Sequence, residues 1–276
     1  MTERDSFGGA WHVTEYVFDS EGVFLASLRQ IRRVLVLAPG RLEVQMRCLP
    51  CPALAGHPMA AFEGEWRFGL TRQGQKRVYG GPDVTGEGIE WLPGLLTASG
   101  RWPHFGPFAF CSWSLLTSPN RQLTGGTFYL GDQMVARIVG VATPAQAADQ
   151  WPSLPPPVVP GDRARVWTGA RLRCQLGLEA PREATATVRL LPGQAWKPGE
   201  TTIAPLPSHG WARGLEPDPA GQRTRPGADG LAVLDSMTDI LYVLQPFIDP
   251  VSGMNATPGL DFYRLTPQQE VLNGLV

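Results

Sequence analysis

At 276 residues, with 43% hydrophobic and 18% charged side chains, the chain can bury one large core or two ordinary ones and is too apolar to be disordered throughout. The 24 basic and 25 acidic residues leave a formal net charge of −1, which excludes the broad basic footprint of a nucleic-acid binder. No uncharged run approaches the ~18 residues of a membrane-spanning helix, the polar start Met1-Thr2-Glu3-Arg4-Asp5 leads into no apolar signal segment, and the four cysteines suit reduced thiols. The expectation is a cytoplasmic protein with neither nucleic acid nor membrane as a partner.

Glycine (32) and proline (27) are spread between short apolar runs, the distribution of a chain that turns often between many short strands. The first strand follows Phe7-Gly8-Gly9-Ala10-Trp11 and covers residues 11–18, with Trp11, Val13, Glu15 and Val17 on one face and His12, Thr14, Tyr16 and Phe18 on the other. After a turn at 19–22, residues 23–37 form one long bent strand or two short ones. Their cluster Arg29-Gln30-Ile31-Arg32-Arg33 reads as a solvated strand face. Strict alternation marks 42–48 (Leu42, Val44, Met46, Cys48 against Arg41, Glu43, Gln45, Arg47) and 62–70 (Phe62, Gly64, Trp66, Phe68, Leu70), the pattern of antiparallel sheet with one apolar face.

Residues 80–106 read as loops and short strands that cover an open end. Strands follow at 107–117, 127–130 and 134–142, with a bulge or bend expected at Gly125-Gly126 and Arg137 interrupting the valines of the last. A short helical turn is expected at 145–150, and Pro152-Ser153-Leu154-Pro155-Pro156-Pro157 is a stiff linker. The domains are therefore 1–150 and 163–276, joined by 151–162. The second is again β in character, with strands at 165–175, 184–191, 231–234, 240–245 and 260–265 and a polar loop at 218–229. The fold class is all-β: an antiparallel barrel followed by a smaller β barrel or sandwich.

Gly9-Ala10-Trp11 at the mouth of the first strand resembles the opening motif of the calycins, the lipocalin-like barrels, over residues 7–142. The resemblance implies a barrel whose floor is closed by Trp11, with an arginine of the last barrel strand across its ring. Arg137 is similar in kind to that arginine, and guanidinium over indole is a favourable cation–π contact. Without a signal segment or paired cysteines, and with a second module, the chain is similar to intracellular two-module members.

Among candidate groups, Cys48-Leu49-Pro50-Cys51 with His57 suggests a metal or redox site, but the second ligand pair is missing, and a structural role is the alternative. His104, inside Trp102-Pro103-His104-Phe105-Gly106, would sit at a barrel mouth as a general base or ligand, or merely cap a packed loop. Glu15 and Arg137 fall on otherwise apolar faces, where burial forces them to pair. Trp11, Trp66, Phe68, Phe110, Trp113, Phe128 and Arg137 are the expected lining of a binding cavity, or else the side chains that fill a packed barrel. Asp235, Asp239, Asp249, Asp261 and His209 read as turn caps rather than acid–base groups. The expected function is binding of a small hydrophobic or aromatic molecule in the N-terminal barrel, without a cofactor or metal. The alternatives are a cofactor-free lyase, isomerase or hydratase using Glu15, Tyr16 and His104, and an assembly protein with a filled barrel.

Overall fold

A computed structural model describes residues 5–20, 23–145, 151, 165–177, 180–190, 202–203, 231–235, 240–249 and 257–267. Ten strands follow one another in the N-terminal unit: β1 (Gly9–Phe18), β2 (Phe24–Ala38), β3 (Arg41–Cys48), β4 (Gly64–Gln73), β5 (Lys76–Gly80), β6 (Thr85–Leu92), β7 (Leu95–Arg101), β8 (Phe108–Ser118), β9 (Arg121–Leu130) and β10 (Gln133–Pro144). Each pairs antiparallel with its sequence neighbours, and β1 pairs with β10 to close the sheet into a barrel, which leaves no edge strand. A closed up-and-down antiparallel barrel fits a calycin-like fold.

The alternation that marked β1, β3 and β4 sets their orientation, with Glu15, Met46 and Phe68 facing the interior. Residues 80–106 depart from expectation. They supply two full barrel strands, β6 and β7, whose Glu90, Leu95 and Ala98 are buried. Nor is there a bulge at Gly125-Gly126, where the ladder to β8 runs without a shift. The glycine is required by packing instead: a Cβ on Gly125 would lie 2.8 Å from the Trp113 ring and 2.5 Å from the Ile138 carbonyl oxygen.

The cover over one end comes from the β3–β4 connection. It forms 3-10 turns at Pro52–Leu54 and Pro58–Phe62, so Phe62 lies in a turn and not in the strand expected over 62–70. His57 Nδ1 accepts from the Met59 amide at 3.2 Å and caps the second turn. The Phe62 ring then meets Trp102, Phe108 and Phe128 edge-on at 4.9, 4.8 and 5.3 Å. Contacts of this geometry are each worth about 0.5–1.5 kcal/mol beyond area burial. The Trp66 indole donates to the Phe62 carbonyl at 2.9 Å and holds this lid down.

The other end is sealed by a guanidinium under an aromatic ring, but not by the expected pair. Trp11 is opposite Pro144 in the β1–β10 ladder and Arg137 opposite Phe18, seven rungs away. At ~3.4 Å per residue that is over 20 Å. Arg137 also alternates with Ile138, which faces the interior, so it lies on the outer face of β10. The closing cation is Arg77 of β5, 1% exposed, with its Cζ 5.3 Å from the centre of the Phe7 ring. Arg77 Nη2 donates to Glu90 Oε2 and lies 3.0 Å from Asp5 Oδ2. Asp5 accepts from the Phe7 amide (2.9 Å), Glu90 from the Gly94 amide (3.2 Å), and the Trp11 indole donates to the Phe7 carbonyl (3.0 Å). Burial alone would raise the Glu90 carboxyl, but Arg77 and the Gly94 amide together hold it below its usual range.

The chain divides into two compact units between Leu154 and Pro155. The second contains β11 (Arg165–Gln175), β12 (Arg182–Leu190), β13 (Thr202–Ile203), β14 (Leu231–Asp235), β15 (Ile240–Asp249) and β16 (Thr257–Pro267), in one sheet of order β13-β12-β11-β16-β15-β14. β14 and β15 pair antiparallel, as expected of the two strands at 231–234 and 240–245. Asp261 is no turn cap: it is buried on β16, and Arg171 Nη2 donates to it at 2.6 Å. The expected helical turn at 145–150, the polyproline segment, His209, the 218–229 loop and Asp239 fall, wholly or nearly so, outside the described residues.

Removing one partner of a buried ion pair strands the other's charge, a loss of about 3–5 kcal/mol. Arg77→Met is therefore expected to lower unfolding free energy by that amount in urea titration, whereas Arg137→Met, on the outer face, should cost less than about 1 kcal/mol. Equal losses for the two would refute this account of the barrel's closure.

Candidate functional site

Between the Arg77 clasp and the Phe62 lid the barrel is hollow. The cavity is about 190 Å³ and is bounded by Phe7 and Trp11 at one end and by Met59, Phe62 and Trp102 at the other. It arises because the two walls differ in bulk. Val44, Met46, Phe68 and Tyr79 fill the β3–β5 side, while β7 to β10 present Ala98, Ser112, Ser114, Thr124 and Gly125 across from them. Phe110, Phe128 and Ile138 complete the apolar lining.

One acidic group stands in this wall. Gln30 Nε2 donates to Glu15 Oε2 at 2.8 Å, Arg32 Nη2 lies 3.6 Å from Glu15 Oε1, and Arg32 Nε and Nη2 donate to Gln30 Oε1 at 3.3 and 3.2 Å. Burial raises the Glu15 carboxyl above its ordinary value, and Arg32 and Gln30 offset that only in part. Gly140, opposite Glu15 on β10, has no side chain because a Cβ there would meet Glu15 Cγ at 2.7 Å and Thr124 Cγ2 at 3.2 Å. The ladder continues from Gly140 to Thr124 and from Thr124 to Ser114. Glu15, Thr124 and Ser114 thus stand at one level across four neighbouring strands. Two other titratable groups line the cavity but stay protonated at neutral pH, since burial pushes the Cys48 thiol and the Tyr79 phenol each up to about 12.

Of the residues singled out in the sequence, Trp11, Glu15, Phe68, Phe110 and Phe128 come together around this cavity. Trp66, Trp113 and Arg137 do not line it. Trp66 holds the lid, Trp113 packs its ring over Gly125 on the other face of β8, and Arg137 lies outside. Tyr16 is on the outer face of β1, 6.3 Å from the Phe24 ring. His104 is largely exposed, 3.5 Å from Asp83 Oδ1, and not on the cavity wall. The Glu15–Arg137 pairing is replaced by Glu15–Arg32, because even-numbered residues of β2 point inward, and Gln30 and Arg32 with them. Cys51 Sγ donates to the Ser27 carbonyl at 3.6 Å and His57 serves as a cap, so the cysteine–histidine cluster is occupied in holding the lid's base. Among the described residues no group of three or more His, Cys, Asp or Glu is placed to hold a metal ion. No helix among the described residues is long and apolar enough to cross a membrane.

No family model and no curated protein matches the chain. Among solved structures it is similar to a DUF3598 family protein of unknown function from Nostoc punctiforme, at 11% identity over 95% of this chain and 97% of that one, with a TM-score of 0.47. It is also similar to the S-type phycobiliprotein lyase CPES from Guillardia theta, at 8% identity over 52% and 90%, TM-score 0.38. A redesigned β-barrel, mFAP1, bound to DFHBI, aligns at 14% identity over 51% and 99%, TM-score 0.28. All three likenesses are distant, and the barrel is defined by its own strand pairing.

A carboxyl raised in the folded state binds its proton more tightly there than in the unfolded chain. Its contribution to stability is complete below the ordinary value of 4.5 and is lost as pH rises through the raised one. Glu15→Gln removes that loss. The variant should therefore gain on the wild type as pH climbs above about 4.5 and track it below. Urea midpoints of both proteins across this range measure the effect, and a difference independent of pH would mean that Glu15 titrates as a free carboxylate.

Proposed function

We propose that the N-terminal barrel binds a small, mainly apolar molecule of one or two rings that carries a single hydrogen-bonding group. What carries this reading is the cavity itself, a hollow lined by aromatic side chains with one buried carboxyl network in its wall. Its volume of about 190 Å³ sets the ligand's size. It lies below the ~300 Å³ at which drug-sized sites begin and slightly above the ~150 Å³ engineered cavity that accepts benzene. The ring system would rest against Phe62, Phe68, Phe110 and Phe128, and its polar group would meet Glu15, Thr124 or Ser114. A barrel packed solid by its own side chains is the poorer reading, because Ala98, Ser112, Ser114 and Thr124 stand in the β7–β9 wall where bulky residues would close the gap.

The enzymatic alternative retains one specific support, the raised carboxyl of Glu15 facing the cavity. A buried carboxyl whose proton is held more tightly than usual is a candidate general acid. Tyr16 and His104, its expected partners, lie elsewhere.

Calorimetric titration with one- and two-ring phenols and indoles, 2-naphthol among them, tests the reading. Ser112→Phe fills the hollow and is expected to weaken binding at least about tenfold, or 1.4 kcal/mol, without lowering the unfolding midpoint. Binding that survives this substitution would place the ligand outside the barrel and end the proposal. Turnover of a bound compound that disappears in Glu15→Gln while affinity persists would favour the enzyme.

A further inference from the structure

The β2–β3 hairpin carries an apolar feature that neither the core nor the cavity uses. Leu35, Val36 and Leu37 are consecutive and are 39%, 54% and 59% exposed. Three adjacent apolar residues in water break the alternation that keeps strands soluble, and such runs are errors of patterning unless they serve a function. The pairing of β1 with β2 ends at Gly9 and Val34, so beyond that rung β2 is held by β3 alone and the hairpin projects past the barrel wall. A bulge between Val36 and Ala38 leaves Leu37 without a partner in the ladder, and Pro39-Gly40 makes the turn.

Exposed cations flank this tip. Arg33 precedes it and Arg41 follows it, both exposed. The neighbouring β4–β5 turn is tied to the hairpin by the Arg72 amide, which donates to the Gly40 carbonyl at 2.7 Å, and brings exposed Lys76 alongside. Glu43, opposite Leu35, is engaged by Arg67 at 2.7 Å and by Gln45 at 2.7 Å. Val78, also exposed, lies on the far side of Arg41 and Thr71, and Glu87 lies one strand beyond it.

We propose that the β2–β3 hairpin tip docks on an anionic lipid surface, with Leu35, Val36 and Leu37 entering the interface and Arg33, Arg41 and Lys76 facing the headgroups. The shape decides against a protein partner. Three aliphatic side chains at the end of a hairpin fall well short of the ~1,200 Å² that a stable protein–protein interface buries, whereas a fluid interface closes around a protruding tip. Aliphatic groups flanked by cations are the combination that adds burial to attraction at an anionic leaflet. The contact is peripheral and needs no spanning segment, the feature on which the sequence-based expectation of no membrane partner rested.

Co-sedimentation of the full chain with phosphatidylcholine vesicles, with and without phosphatidylglycerol, tests this. The wild type is expected to partition at least about tenfold more strongly onto the phosphatidylglycerol vesicles and to lose that preference as salt is raised. Val36→Asp with Leu37→Asp should abolish binding, and Arg33→Glu with Arg41→Glu should remove the preference for anionic lipid. All four positions are exposed or half-exposed, and unchanged urea midpoints would show that the variants are folded. Absence of wild-type binding to the anionic vesicles overturns the proposal, as does equal binding by the Val36→Asp, Leu37→Asp variant. So does sedimentation velocity showing a wild-type dimer that this variant splits, with no vesicle binding by either.

Discussion

Among the described residues, Arg77 and Arg32 carry guanidinium groups into the barrel's interior, and a carboxyl group meets each of them. Arg77 is the deeper of the two, and its position governs how the barrel is closed. Between Asp5 and Glu90 it ties the segment before β1 to strands β5 and β6, and through the Gly94 amide to the β6–β7 turn. The segment before β1 is far from β5, β6 and the β6–β7 turn in sequence and shares no ladder with them. The stacked Phe7 ring and the Trp11 indole bond then fix the floor. Desolvating three charged groups is costly in isolation. Their convergence explains why the open end of a ten-stranded sheet is plugged by its own N-terminus.

With one end clasped and the other capped by Phe62, the middle of the barrel is left to the balance of side-chain volumes. Ten strands enclose more space than short side chains can fill, since barrel diameter grows with strand number. The β3–β5 wall answers with Phe68, Tyr79 and Met46, whereas the β7–β10 wall has a band of small residues, Ala98, Ser112, Ser114 and Thr124, between its bulky Phe110, Phe128 and Ile138. Gly140 is the sharpest case, because its missing side chain is the space into which Glu15 and Thr124 turn. The hollow and the polar level of Glu15, Thr124 and Ser114 therefore have one cause, a band of small residues.

The strands that alternate strictly were legible because one face was apolar and the other charged. For β1, β3 and β4 this gave the correct inward set and placed Glu15 on it. Gln30 and Arg32 were misread because Arg29-Gln30-Ile31-Arg32-Arg33 has no apolar residue at the inward positions. Their phase comes from Val34 and Leu28 on either side, and is visible only once the bulge at Leu37 is known. Arg137 stood out among valines, yet one residue of phase separates the inside of β10 from its outside. The lid was missed because Phe62 continues the alternation of β4 while Pro58 turns the chain. Residues 80–106 hid two strands because glycines at 86, 88 and 100 take the place of side chains that facing strands would crowd. Leu35, Val36 and Leu37 continue an apolar strand pattern, and only the end of the β1 pairing at Val34 shows that they are exposed.

The chemistry inside the cavity bears on which of its two readings is the stronger. Acid–base catalysis of elimination or hydration needs a group that takes a proton and another that gives one. Cys48 and Tyr79, raised to about 12, hold their protons through the neutral range, and Arg32 and Arg77 do not release theirs. Glu15 is thus the one cavity-lining carboxyl free of the Arg77 clasp, and its own oxygens are engaged by Gln30 and Arg32. A single carboxyl held by two neighbours is suited to recognising a hydrogen-bonding group and poorly equipped to run a cycle of proton transfers. The same network that makes burial of Glu15 tolerable restrains it as a catalyst, and on that physical ground binding outranks turnover.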